Sequence, residues 1–204
     1  LLHFDGVLRV RRRRYGGAVA RVLVPTRQLF RRLPDSALAQ AADVRFEYFR
    51  DHVFKELESE QLGRTLVFFA DYFDYVRARN LLHKSDVVFA PLCEYTGTSD
   101  VSRTRAHFYH GNIDVLLFTE RFHYFKRYNL RGIRHIVFYG VPHYAGFYTH
   151  MVNLLEEATE SQHATSCSVL YSRFDANEME RVVGTSRWRR MIRSQQTTHV
   201  LASS

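Results

Sequence analysis

The chain has 204 residues, 46% of them hydrophobic, enough for the core of one generous domain or two small ones, so global disorder is excluded. Its 29 Lys and Arg outnumber 21 Asp and Glu, a net charge of +8. Most of the excess is arginine, whose planar fork suits phosphate and base contacts; a polyanion is the natural partner, and a merely solubilising surface is the alternative. Cys93 and Cys167 are too few for a disulfide framework or a zinc motif and sit in apolar stretches, which predicts a reducing intracellular compartment. No apolar run approaches the ~18 residues that span a bilayer, so no membrane partner is expected. The chain opens on Leu1 rather than Met and is expected to be part of something longer.

Residues 1–24 hold an apolar start, the run Arg11-Arg12-Arg13-Arg14 and the bend Tyr15-Gly16-Gly17, and read as an arm. Pro25 suits the first turn of a short helix through Leu33. Pro34-Asp35-Ser36 interrupts it before a second helix over residues 41–57, in which Phe46, Phe49, Val53 and Leu57 recur at helical spacing. Residues 1–62 are therefore a basic arm and helical extension, and 63–204 a separate α/β domain. From Gly63 onward short, nearly continuous apolar runs cover 65–69, 87–89, 115–118, 133–139 and 168–171. The helices that follow them cover about 72–83, 101–109, 122–128, 144–158 and 176–192. Asp71, Asp100 and Asp175 are the expected N-caps, with Asp175 and Glu178 at capping-box spacing. Five such β-α units predict an α/β fold, a three-layer parallel sheet whose ligands would bind beyond the carboxyl ends of the strands. No G-x-x-x-x-G-K-[ST] or G-x-G-x-x-G phosphate loop occurs.

The motif order from Cys93-Glu94-Tyr95 onward resembles the second RecA-like lobe of superfamily-two RNA helicases. Ser99 and Arg103 stand as in its S-x-x-x-R helix, residues 115–120 as in its V-L-x-x-T-[DE] strand, and Tyr139 and Pro142 as in its Tyr-x-x-Pro. The departure falls at its H-R-I-G-R-x-G-R motif, where the chain keeps His150 but has Met151, Leu154 and Glu157 in place of arginines. An arginine finger is worth ~10³-fold or more in phosphoryl transfer and a carboxylate repels phosphate, so hydrolysis is expected to fail. The Ala-Arg-Gly turn of those helicases is likewise replaced by Phe122-His123-Tyr124-Phe125.

Longer strings are more specific. They include Asp71-Tyr72-Phe73-Asp74-Tyr75-Val76-Arg77-Ala78-Arg79-Asn80, Ser99-Asp100-Val101-Ser102-Arg103, Phe108-Tyr109-His110-Gly111, Thr119-Glu120-Arg121-Phe122-His123 and Arg131-Gly132-Ile133-Arg134-His135. Over most of residues 41–155 the chain resembles the digestive-organ expansion factor family, the U-three small nucleolar RNA-associated protein twenty-five. The resemblance implies a catalytically silent, helicase-like subunit of the nucleolar small-subunit processome. Its implied partners are other processome proteins, pre-ribosomal RNA and small nucleolar RNA, with no cofactor and no homo-oligomer.

Candidate RNA-binding residues follow from the clusters. Arg11, Arg12, Arg13 and Arg14 either track a phosphate backbone or form a solvated terminus. Arg187, Arg189 and Arg190 flank Trp188, which either stacks on a base or anchors the last helix. Lys126, Arg127, Arg131 and Arg134 either line a groove near the sheet edge or make a scattered basic face. Arg103 and Arg105 lie on the helix that touches RNA in helicases, and Arg121 belongs to the T-E-R-F-H string; this step is fold analogy. Near-helical spacing of Phe122, Tyr124, Phe125 and Tyr128 favours buried packing over a base-stacking platform. His107, His110, His123, His135, His143 and His150 lie on different elements without paired Cys or acid motifs, so no metal site is expected. Asp71 and Asp74 read as a cap and a first-turn acid. The preferred function is an RNA- and protein-binding scaffold; the alternatives are the second lobe of an active ATP-dependent RNA helicase and a purely protein-binding module.

Overall fold

The computed structural model describes residues 7–10, 16–59 and 62–203. Arg11, Arg12, Arg13 and Arg14 lie outside them. In chain order the elements are β1 (Val7–Val10), β2 (Arg27–Arg32), α1 (Ala41–Tyr48) running through a π-helical turn (Phe49–Phe54) into α2 (Lys55–Glu58), β3 (Thr65–Phe69), α3 (Tyr72–Leu82), β4 (Phe89–Leu92), α4 (Thr98–His110), β5 (Val115–Thr119) and α5 (Glu120–Lys126). After these come β6 (His135–Phe138), α6 (Ala145–Asn153), α7 (Glu156–Glu160), β7 (Ser166–Tyr171), α8 (Ala176–Val183), α9 (Thr185–Arg193) and β8 (Thr198–Ser203).

The strands form one sheet in the order β1-β8-β2-β7-β6-β3-β5-β4. From β2 through β4 every pairing is parallel. β8 runs antiparallel to β2 and parallel to β1. The central strands β3 and β5 are buried at every position because both faces are covered. Leu66 and Phe68 of β3 face one core with Phe118, Phe138, Met151 and Trp188, while Val67 and Phe69 face the other with Phe49, Val53, Leu57 and Tyr75. Thus α1, its π-helical continuation and α3 cover one face, and α4, α5, α6, α8 and α9 the other. Pro91 falls in β4, the edge strand, where its missing donor is tolerated.

The helix over 41–57 and the five β-α units stand close to their expected positions. The first 40 residues depart most from expectation. Residues 27–32 are a strand rather than a helix following Pro25, because β2 has hydrogen-bonded neighbours on both sides, β7 and β8, and tertiary pairing overrides helix propensity. Gln28 and Phe30 point into the core, and the buried Tyr148 hydroxyl donates to Gln28 Oε1 at 2.7 Å. Arg31 makes a bidentate contact with Glu56 at 2.8 and 3.1 Å, pinning β2 to α2. The expected arm is likewise incorporated in part: β1 pairs with β8, and Ala18, Val19, Val22 and Val24 are buried. Gly17, at φ 72°, packs so closely on the end of α8 that a Cβ would lie 2.4 Å from the Val182 carbonyl oxygen.

Two caps also differ. Gly97 rather than Asp100 starts α4, and Asp100 instead pairs with Arg103 at 2.7 Å. The capping box is formed by Ser172 and Asp175, not by Asp175 and Glu178, since the Asp175 carboxylate turns back to accept from Ser172 N and Oγ. Gly184, at φ 85°, divides the expected last helix into α8 and α9. No helix among the described residues is long and apolar enough to cross a membrane.

Candidate nucleic-acid interface

The motif residues collect at the carboxyl ends of the strands, where they tie loops together. Thr119 ends β5 and caps α5 by accepting from Phe122 N at 3.2 Å, while its hydroxyl donates to Glu94 Oε2 at 3.1 Å. The next residue, Glu120, is buried, accepts from His143 N at 3.0 Å and lies 3.4 Å from His143 Nδ1; burial raises its carboxyl above the usual range. The Thr-Glu pair therefore joins the segments after β4, β5 and β6. Asp71 caps α3, accepting from Phe73 N at 2.7 Å and Asp74 N at 3.3 Å.

The helix that carries His150 is built differently from one presenting cations. Met151 is fully buried in the core and Leu154 packs partly against it. Glu157 meets Arg131 at 2.6 Å and accepts from Gly132 N at 3.2 Å; the Arg131 hydrogen bond holds its carboxyl below the usual range. The groove beside His150 is lined by Asn153, Leu154, Glu156, Glu157 and Glu160, with Arg131 at its rim. Its acids disfavour a triphosphate.

His123, on the inner face of α5, is buried with Nδ1 unpartnered among the described residues. Its ring is 4.6 Å from Phe147 and 4.8 Å from His150. Burial pushes its pKa down to about 4. The unfolded chain takes up this proton first as pH falls through about 6.5, so stability is full above that value and declines toward pH 4. Urea denaturation at the two ends of this range is expected to show wild type losing about 2–3 kcal/mol more than a His123→Gln variant. Equal losses would mean that the imidazole stays solvated. Among the described residues no three of His, Cys, Asp or Glu converge on a possible metal site.

The arginines named from sequence fall into two groups. Several are committed to the protein: Arg105 donates to Asn129 O at 3.0 Å and lies over the Tyr128 ring, and Arg187 donates to Gly16 O and Val183 O at 2.9 and 3.0 Å. Burial lowers the Arg187 pKa from its ordinary value. Arg131 is held by Glu157 and lies over Tyr109. Trp188 is buried edge-on to Tyr171, so it anchors α9. Among the described residues, Arg103, Arg121, Lys126, Arg127, Arg189 and Arg190 face solvent. Arg103 pairs with Asp100 at 2.7 Å, and Arg121 approaches Glu94 at 3.7 Å. Lys126 and Arg127 are exposed just beyond α5. Arg189 and Arg190 share a shallow groove with Ser186, Ser194 and Arg193. Arg193 escaped the sequence reading because it lies three residues past the Trp188 cluster, one helical turn along the same face.

Five parallel strands ordered β4-β5-β3-β6-β7, each leading into a helix, have the fold of the second RecA-like lobe of helicases. Among solved structures, the C-terminal domain of the DEAD-box protein Dbp5 matches with a TM-score of 0.59 over 88% of this chain and 92% of that one, at 15% identity, which shows the shared fold. The chain belongs to the family described as "Utp25, C-terminal domain", whose sequence profile matches residues 18–201. It is 38% identical over 200 residues to the U3 small nucleolar RNA-associated protein 25 homolog of Homo sapiens, covering 98% of this chain and 26% of that protein. It is 36% identical over 181 residues to Protein NUCLEOLAR FACTOR 1 of Arabidopsis thaliana, covering 89% of this chain and 24% of that protein. The chain thus spans about a quarter of the length of the curated relatives it matches. The family match also takes in residues 18–40 and the tail after Tyr171, beyond the 41–155 over which the motifs were legible.

Proposed function

We propose that the chain is a non-catalytic, helicase-like lobe that acts as an RNA- and protein-binding scaffold of the small-subunit processome, in the nucleolus, during pre-rRNA processing and small ribosomal subunit assembly. The relatives' names, a U3 small nucleolar RNA-associated protein and a nucleolar factor, support the setting. The observation that supports the absence of catalysis is the segment from α6 into α7, whose finger positions hold a core methionine, a half-buried leucine and an ion-paired glutamate. These three positions offer no cation to meet the charge that develops on a transferred phosphoryl group.

RNA contact is assigned to Arg103, Arg121, Lys126, Arg127, Arg189 and Arg190, to Arg193, and to Arg11, Arg12, Arg13 and Arg14. Arg105, Arg131 and Arg187 position these elements. Phosphate contacts release counterions, so the RNA affinity of the full-length protein is expected to fall linearly with the logarithm of salt concentration. Replacing Arg189, Arg190 and Arg193 together by glutamine is expected to lower that slope by about 2 for single-stranded RNA. Salt-independent affinity would remove the electrostatic basis of this reading and leave a protein-binding module.

A further inference from the structure

Helical spacing assigns Phe122, Tyr124, Phe125 and Tyr128 to one packed stripe, but the chain divides them. Phe122 is buried and Tyr128 packs beside it, whereas Tyr124 is 48% exposed and Phe125 62%. Tyr144, from the segment after β6, is 56% exposed and lies 5.9 Å from Tyr124 at an interplanar angle of 31°. Phe125 stands edge-on to Tyr124 at 5.2 Å, and Phe147 backs both tyrosines at 5.2 and 6.5 Å. The rings are thus held by one another at the carboxyl end of the sheet, so little rotamer freedom remains to be lost on binding.

Exposed cations stand beside them. The Arg121 guanidinium lies over the Phe125 ring at 5.9 Å, and Lys126 and Arg127 are exposed at the end of the same helix. The two nearby carboxylates are turned inward, Glu120 toward His143 and Glu94 toward Thr119. A second group of exposed rings, Tyr72, Phe73 and Tyr95, sits instead beside Asp71 and Asp74. Flat aromatic faces inside a cationic rim match one chemistry: unstacked nucleobases joined by phosphates. A duplex hides its base faces and fits poorly.

We propose that Tyr124, Phe125 and Tyr144, rimmed by Arg121, Lys126 and Arg127, form a stacking site for unpaired bases of single-stranded RNA. This deepens the RNA-binding reading above and rests on it. The test uses the full-length protein with a single-stranded oligonucleotide carrying a fluorescent adenine analogue, and with a blunt RNA duplex as the comparison. Binding of the single strand is expected to quench the analogue, and Tyr124→Ala and Phe125→Ala are each expected to weaken single-strand affinity about tenfold. The salt slope should not change, because rings release no counterions. Tyr124→Phe should bind as wild type. The double variant Lys126→Gln/Arg127→Gln should weaken both RNAs and reduce the slope.

Salt-dependent binding that ignores the ring substitutions would overturn the stacking site while leaving the RNA reading intact. Failure of wild type to bind either RNA would overturn both. Ring variants that bind RNA normally but lose processome proteins after nuclease treatment would reassign the patch to protein docking and overturn the proposal.

Discussion

Replacing Arg45 by alanine is expected to lower the unfolding free energy by about 3–4 kcal/mol, the range for removing one partner of a buried ion pair. The guanidinium comes from α1 in the helical extension and reaches the carboxyl ends of two sheet strands. Its Nη2 meets both Asp175 carboxylate oxygens at 3.0 and 2.9 Å, and its Nη1 donates to Tyr139 O at 3.2 Å and Leu170 O at 3.3 Å. Only 11% of the side chain is accessible. Truncation therefore leaves two carbonyls and part of a carboxylate without donors in a place that water reaches poorly, at about 1–3 kcal/mol for each unsatisfied group before relaxation. Arg45→Lys keeps the charge but loses the fork, and should recover less than half of the loss. Urea denaturation checks both variants. A wild-type midpoint for Arg45→Ala would mean that the extension is not anchored through this residue. The consequence reaches function, because ligands of open α/β sheets sit beyond these strand ends, and here part of that edge is filled by the chain's own arginine.

Met151→Arg is expected to be worse. It restores the first arginine of the helicase motif but places a cation at a core position of α6 with no exposed surface. Desolvating an unpaired guanidinium there is expected to cost upward of about 4 kcal/mol, enough to unfold a domain of ordinary stability. Leu154→Arg and Glu157→Arg sit nearer the surface and should fold, with Arg131 losing its partner in the second case. The finger thus cannot be rebuilt by simple reversion, since the helix is seated with one finger position facing the core. Circular dichroism melting of the three single variants separates these outcomes. A soluble Met151→Arg protein melting with wild type would show that α6 is seated differently.

Much of this architecture could be read from sequence because its central strands are buried on both faces: 65–69 and 115–119 are almost wholly apolar, and period-independent runs of that length between amphipathic helices have few other interpretations. β2 could not be read so, since Arg27-Gln28-Leu29-Phe30-Arg31-Arg32 has strong helix formers and only its neighbours β7 and β8 make it a strand. Arg45 was invisible because its partners lie 94, 125 and 130 residues away. The exposed rings were misread for a local reason. α5 turns Phe122 and His123 into the core, so Tyr124 and Phe125, further round the same helix, face solvent, and Tyr128 lies beyond its end at Lys126. Thr119 and Glu120 of the motif strand make hydrogen bonds that join the neighbouring loops.

The most direct measurement is steady-state ATP hydrolysis by the full-length protein, with and without RNA, in wild type and in His150→Ala. The account predicts no turnover above background in any of the four conditions, while RNA binding persists with its salt dependence. RNA-stimulated hydrolysis that disappears in His150→Ala would contradict it.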